Sequence, residues 1–365
     1  MSMFRGEKQN GFLQIAALIL IFALLSGCAS APRSVYHVEG AADSAPAVDY
    51  KPTLSYQMLL SGIKASGYKK IYAGDAETVI KRAQKYNNGL KQRPPNDFYR
   101  RFIVAETAVQ GRPCFLITPK QNARTDTVVV FLYGGAFLLD IDFYHWNAIE
   151  RLLDELSAPV YVPLYPIYPE TSPDAALAFI REAFERIYAA YPEARIIGLG
   201  DSSGACLLLN YCHYLSKTDA PRFPDQLILV SPAQVMGIDD ATLNAMKAIA
   251  RFDVGISINI LENLPAIFNM NDDSQKWFNT PLYGDFSRFP PITVFSGTHE
   301  IFHPLMQPFV ERVRVQGKPI ELYAGIKMMH DWPYMPIASE SKHALAKILE
   351  IIAAVPEYQI LEQLP

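Results

Sequence analysis

Cysteine is scarce in this chain. Of 365 residues four are cysteine, Cys28, Cys114, Cys206 and Cys212. Cys28 belongs to an N-terminal segment treated below, so three remain, and an odd set argues against a disulfide framework. Cys114, Cys206 and Cys212 read instead as small buried hydrophobes, the last two six residues apart and so on different faces of one helix. Basic charge is thin as well. The net charge is −4 and the pI near 6.0, with no run of Lys or Arg, which excludes a nucleic-acid partner. Long apolar runs are missing except for one, so the chain is not a multi-span membrane protein. No internal repeat is evident. What the chain does have is core material: half its residues are hydrophobic, with 20 Tyr and 20 Phe. That suffices for one large globular domain.

The single apolar run is GFLQIAALILIFALL, Gly11 to Leu25, preceded by Arg5 and Lys8 and followed by Leu25-Ser26-Gly27-Cys28. At about 15 residues it is shorter than the roughly 20 a spanning helix needs. The LSGC ending is similar to the bacterial lipobox. That resemblance implies a lipoprotein signal peptide over residues 1–27 and a diacylated Cys28 as the mature N-terminus. The protein would then be held by lipid on the exported side of a cell membrane or outer membrane. A retained span or a simple cleaved signal are the alternatives. Residues 28–49 are rich in Ala, Ser and Pro without apolar periodicity and read as a flexible tether.

From residue 50 the chain is structured. Helical spacing runs from Tyr50 to Leu90, and a hairpin of two strands turns around Gln110-Gly111. Continuous apolar runs then alternate with helical spacing: TVVVFLY, PVYVPLY, ARIIGLG, DQLILVS, PITVFSG and KPIELYAG. Such runs suit strands buried on both faces. Their alternation with helices predicts an α/β fold, a mostly parallel sheet with helices on both sides. Between Pro232 and Pro290 the alternation lapses, long enough for an inserted cap.

Two motifs carry chemistry. Gly200-Asp201-Ser202-Ser203-Gly204 matches G-x-S-x-G between a strand and a helix, where a tight turn exposes a hydroxyl above a positive helix end. FLYGGAF, Phe131 to Phe137, puts two glycines at the end of a buried strand, where backbone N–H groups can meet a developing negative charge. A third stretch, SGTHEIFHP, contains H-E-x-x-H, a zinc-ligand pattern. That chemistry needs His299 and His303 on one helical face, yet the stretch follows a strand and ends in Pro304, which suits a helix start.

Taken in order, these stretches resemble the hormone-sensitive-lipase-like branch of the α/β-hydrolases, a family of carboxylesterases. Its H-G-G-G-F is similar to Tyr133 through Phe137, its G-D-S-A-G to Gly200 through Gly204, and its Y-R-L-A-P-E to Tyr165 through Glu170. Tyr133 and Ala136 depart from the pattern, and Ala136 keeps its N–H in place provided φ stays negative. The resemblance implies an α/β-hydrolase domain over residues 50–365 with a helical cap from about 50–95 and 237–285. It implies a nucleophile Ser202 and a base His330, in the loop after KPIELYAG. The acid is Glu300, where the family carries Asp; Asp272, Asp273 and Asp285 are worse placed, and Asp331 adjoins His330 and cannot readily fold back onto its ring. Gly135, Ala136 and Ser203 would supply oxyanion N–H groups, with Gly134 shaping the turn. The substrate is then a small-molecule ester of short acyl chain, with no cofactor and no metal. A serine peptidase or amidase, a zinc hydrolase through HEIFH and a non-catalytic binding lipoprotein are the other readings. Oligomeric state is not legible.

Overall fold

The computed structural model describes residues 35–39, 50–170, 172–270, 279–335 and 337–354. The signal segment and Cys28 lie outside them. Among the described residues no helix is long and apolar enough to cross a membrane.

One nine-stranded sheet organises the domain, in the order β1-β9-β8-β7-β6-β4-β5-β3-β2. Its centre is parallel: β5 (Val160–Pro163), β4 (Thr127–Leu132), β6 (Arg195–Asp201), β7 (Gln226–Val230), β8 (Ile292–Gly297) and β9 (Ile320–Gly325). Every residue of β4, β7 and β8 is buried, the condition of strands covered by helices on both faces. The hairpin β2 (Phe102–Val109) and β3 (Arg112–Pro119) adds an antiparallel edge. At the other edge lies β1 (Tyr36–Glu39), antiparallel to β9. This strand falls inside the stretch expected to be a tether. Composition hid it because an edge strand of four residues is held by its partner's backbone, not by an apolar pattern of its own.

Helices α1 (Leu54–Ser66) and α2 (Ala76–Asn87) stand above the strands' carboxyl ends. Thr53 caps α1 and is held by the buried Glu340 of the last helix, through its N–H at 2.7 Å and its hydroxyl at 2.7 Å. The segment that broke the alternation forms α7 (Asp240–Ile249) and α8 (Ile260–Ile267), and α2 packs against α8. Lys69 joins the two pieces, donating to the carbonyls of Ala250 and Asp253. The helix expected from Pro304 begins as a 3₁₀ turn at His303–Leu305 before Met306–Arg314 becomes α-helical. Proline has no N–H to give, so it stands in the first turn.

The helix Ser202–Lys217, α6, crosses directly beneath the end of β4. A Cβ on Gly204 would sit 2.1 Å from the Leu132 carbonyl oxygen and 2.6 Å from that of Tyr133. The close approach depends on a missing side chain. Gly204→Ala is therefore expected to lower the unfolding free energy by about 3 kcal/mol, measured by chemical denaturation; an unchanged midpoint would mean that the helix can move aside freely.

Candidate active site

β6 ends at Asp201 and the chain turns straight into α6, leaving Ser202 at φ 47. Positive φ strains a residue other than glycine, and the turn is retained because its neighbours over-determine it. A residue expected only as a motif letter does this, with a histidine outside the motifs. The buried Asp201 accepts a hydrogen bond from Gly134 N–H at 3.0 Å, and its Oδ2 lies 3.1 Å from His145 Nε2. His145 Nδ1 in turn accepts from the Asp142 N–H at 3.0 Å, closing the cap of the helix Phe143–Leu156, α4, and leaving the ring proton on Nε2. Asp201 thus ties the serine turn to the glycine loop. The only signals for it in sequence were the Asp of GDSSG and the spacing of Asp142 and His145.

The glycine loop is more strained than expected. Gly135, Ala136 and Phe137 have φ of 137, 57 and 56, so the condition of negative φ at Ala136 is not met. The Gly135 carbonyl accepts from both Leu138 and Leu139 N–H, each at 2.9 Å, and that turn forces the left-handed backbone. Gly134 keeps the part of shaping the turn. Its N–H is spent on Asp201, so it shapes the loop and is not an oxyanion donor. Tyr133 has its own part: its hydroxyl donates to the Tyr165 carbonyl, Tyr165 donates back to the Tyr133 carbonyl, and their rings stack at 4.5 Å.

His330 and Glu300 meet behind this loop. His330 Nδ1 donates to Glu300 Oε2 at 2.9 Å, with the glutamate fully buried and the histidine nearly so. Glu300 Oε1 accepts from the Ser296 hydroxyl and from Gly297 N–H. The next N–H, of Ile301, is held by Asp253 Oδ2 at 2.9 Å, and Asp253 reaches in from the segment between α7 and α8. On the histidine side Met329 N–H donates to the Tyr56 hydroxyl of α1 at 2.6 Å.

The helical face that a zinc site requires is not formed. His299 stacks on Phe252 at 4.7 Å, while His303 Nδ1 faces the Ser296 hydroxyl at 3.0 Å. Among the described residues no cluster of three or more His, Cys, Asp or Glu could hold a metal. Cys114, Cys206 and Cys212 are buried free thiols, with burial raising the pKa of each.

Asp331 departs from expectation. A left-handed backbone at φ 56 swings its carboxyl back, and Oδ2 lies 3.4 Å from His330 Nε2. The imidazole therefore has a carboxyl near each nitrogen. Burial disfavours its charged form, but Asp331, Glu300 and Asp253 outweigh that and push His330 up from 6.5 to about 10. Burial also holds the Asp331 carboxyl well above the usual carboxylate range, the charge of His330 opposing it and those of Asp201, Glu300 and Asp253 adding to it.

Ser202, His330, Asp331, Gly135 and Ala136 line one cavity of about 300 Å³. Its outer wall is apolar and aromatic, with Leu59, Ile63, Tyr68 and Tyr72 from the N-terminal helices and Ile256 and Ile260 from the inserted segment. A smaller cavity of about 50 Å³ also borders Ser202, bounded by Ser203, Cys206, Ala136 and Phe302. A hydroxyl, an imidazole fixed by a carboxylate and free backbone N–H groups around one apolar cavity can carry out nucleophilic acyl transfer.

Residues 129–334 match the family described as alpha/beta hydrolase fold. A "Triacylglycerol lipase" of Mycobacterium tuberculosis is 27% identical over 63% of this chain and 47% of its own length. The chain thus spans about half the length of that relative. An "Acetyl-hydrolase" of Streptomyces hygroscopicus is 23% identical over 62% of this chain and 74% of its own. The structure overlays an esterase of the bacterial hormone-sensitive lipase family with a TM-score of 0.67 at 19% identity, covering 83% of this chain and 99% of the other. A hormone-sensitive-lipase homologue from a metagenome library gives 0.68 at 18% identity.

The site's electrostatics set a pH dependence. A base works only without its proton, and a raised pKa keeps that proton on to higher pH. Activity is therefore expected to rise with pH along a limb centred above the ordinary histidine value of 6.5. Glu300→Gln is expected to move that limb downward and to lower kcat by about 10³- to 10⁴-fold, since the amide no longer fixes the ring tautomer. A pH–kcat/KM profile of both proteins checks it, and a limb at or below 6.5 in the unaltered protein would contradict the assignment of carboxylates around the ring.

Proposed function

The chain belongs to the alpha/beta-hydrolase-fold family, and from that premise we propose that it is a serine carboxylesterase of the hormone-sensitive-lipase-like branch, held to a membrane through Cys28. The observation that carries the reading is the shared cavity: Ser202 on its strained turn and His330, backed by Glu300, face one apolar space.

In this reading Ser202 Oγ attacks the ester carbonyl while His330 Nε2 takes its proton, and Glu300 stabilises the imidazolium that forms. The N–H groups of Gly135, Ala136 and Ser203 receive the oxyanion, each donor worth roughly 3 kcal/mol of barrier. The alcohol leaves with the proton from Nε2, so it departs on the side that His330 lines, into the larger cavity. The acyl group then sits toward the smaller one, which supports a short chain. Water hydrolyses the acyl-enzyme. The names of the curated relatives, a triacylglycerol lipase and an acetyl-hydrolase, fit ester cleavage.

Rates on p-nitrophenyl esters of increasing acyl length, measured on the full-length protein in detergent, test this reading. They are expected to fall beyond short acyl chains, and Ser202→Ala to lose at least about 10⁴-fold in kcat. Full activity in Ser202→Ala would end the serine-esterase reading. The anchor is tested separately. Cells fed labelled palmitate are expected to label the protein and not its Cys28→Ala variant, whereas label retained in that variant would place the lipid elsewhere and no label on the unaltered protein would dismiss it.

A further inference from the structure

Asp331 holds a left-handed backbone. At φ 56 glycine or asparagine would sit with less strain. The position is nevertheless pinned: Asp331 N–H donates to the Ser231 hydroxyl at 3.0 Å, and Tyr334 N–H bonds back to the Asp331 carbonyl. The residue is 6% exposed, and its Oδ1 has no hydrogen-bond partner among the described residues. A buried, unsatisfied carboxyl oxygen is unfavourable in a resting fold. An unsatisfied buried carboxyl oxygen beside a reacting atom points to function.

Oδ2 lies 3.4 Å from His330 Nε2, and Nε2 itself has no hydrogen-bond partner among the described residues. The carboxyl is close to the nitrogen without occupying its lone pair. It also lines the larger cavity, the side on which the alcohol departs. Asp142 is the other acid there, and its carboxylate is already taken by the Tyr86 hydroxyl and the Phe143 N–H.

We propose that Asp331 positions the deacylating water beside His330, an assignment that rests on the esterase reading. Once the alcohol has gone, a water can give one O–H to Nε2 and the other to a carboxyl oxygen of Asp331. Nε2 takes the first proton as the water oxygen bonds to the acyl carbon. The tetrahedral oxyanion collapses, the bond from carbon to Ser202 Oγ breaks, and the Nε2 proton passes to Oγ. The free acid leaves with the water oxygen. Asp331 only accepts a hydrogen bond, so either protonation state of its carboxyl can serve. Acylation has no use for it, because Ser202 is already held covalently in place.

The test separates the two half-reactions. Full-length protein and its Asp331→Gly and Asp331→Asn variants are compared on p-nitrophenyl acetate, each on its own alkaline plateau, with active sites counted by a fluorophosphonate. Glycine fits the backbone and removes the carboxyl; asparagine fits it and keeps an acceptor oxygen. Asp331→Gly is expected to lose about tenfold or more in kcat with KM falling in parallel. It should show a nitrophenolate burst of one per site and regain turnover when methanol is added. Asp331→Asn is expected to stay close to the unaltered protein. Loss of kcat/KM without a burst, an unchanged kcat in Asp331→Gly, or a loss in Asp331→Asn as deep as glycine's would each overturn the proposal. If instead Ser202→Ala turns over normally, it is the esterase reading that fails.

Discussion

The hydrogen bond between His330 Nδ1 and Glu300 Oε2, 2.9 Å long and shielded from solvent, is the contact on which the rest of the site depends. A buried carboxylate is tolerable only when its oxygens are satisfied. Here the imidazole satisfies one, and Ser296 and Gly297 satisfy the other. Removing the ring would leave a buried charge unpaired, which costs about 3–5 kcal/mol. Stability and ring orientation are therefore bound to the same bond.

Strands place these two residues, but loops from distant parts of the chain hold them. The ends of β8 and β9 lie side by side, and the Thr298 and His299 N–H groups bond across to the Gly325 and Met328 carbonyls. Tyr56 of the N-terminal helices fixes the backbone one residue before His330. Asp253 of the inserted segment fixes it one residue after Glu300. Through Lys69 the two covering segments are also joined to each other. The cover of the cavity and the geometry beneath it are thus one mechanical unit, so substitutions in the cover can reach the imidazole without touching substrate.

Much of this was legible in the sequence. The parallel strands announced themselves as apolar runs such as TVVVFL, because strands buried on both faces have no polar alternation. The family resemblance singled out Ser202, His330 and Glu300 from their order along the chain and their places after strands, and the structure brings Ser202 and His330 to one cavity with Glu300 bonded to the ring. What could not be read were backbone angles and cross-chain polar contacts. Ala136 at positive φ follows from a turn closed by Leu138 and Leu139, which no local pattern specifies. The Gly134 N–H is held by Asp201, a side chain 67 residues away. Asp331 seemed unable to reach the ring beside it until a left-handed backbone turned it there. The strand Tyr36–Glu39 is four residues long and takes its order from β9.

The central claim is that Ser202 forms a covalent acyl-enzyme. Mass spectrometry of the intact protein quenched during turnover of p-nitrophenyl acetate addresses it directly. The account predicts a mass gain of one acetyl group, mapped by proteolysis to the peptide carrying Ser202 and absent when His330 is replaced by glutamine. Turnover with no adduct under any quench, or an adduct on another residue, would contradict it.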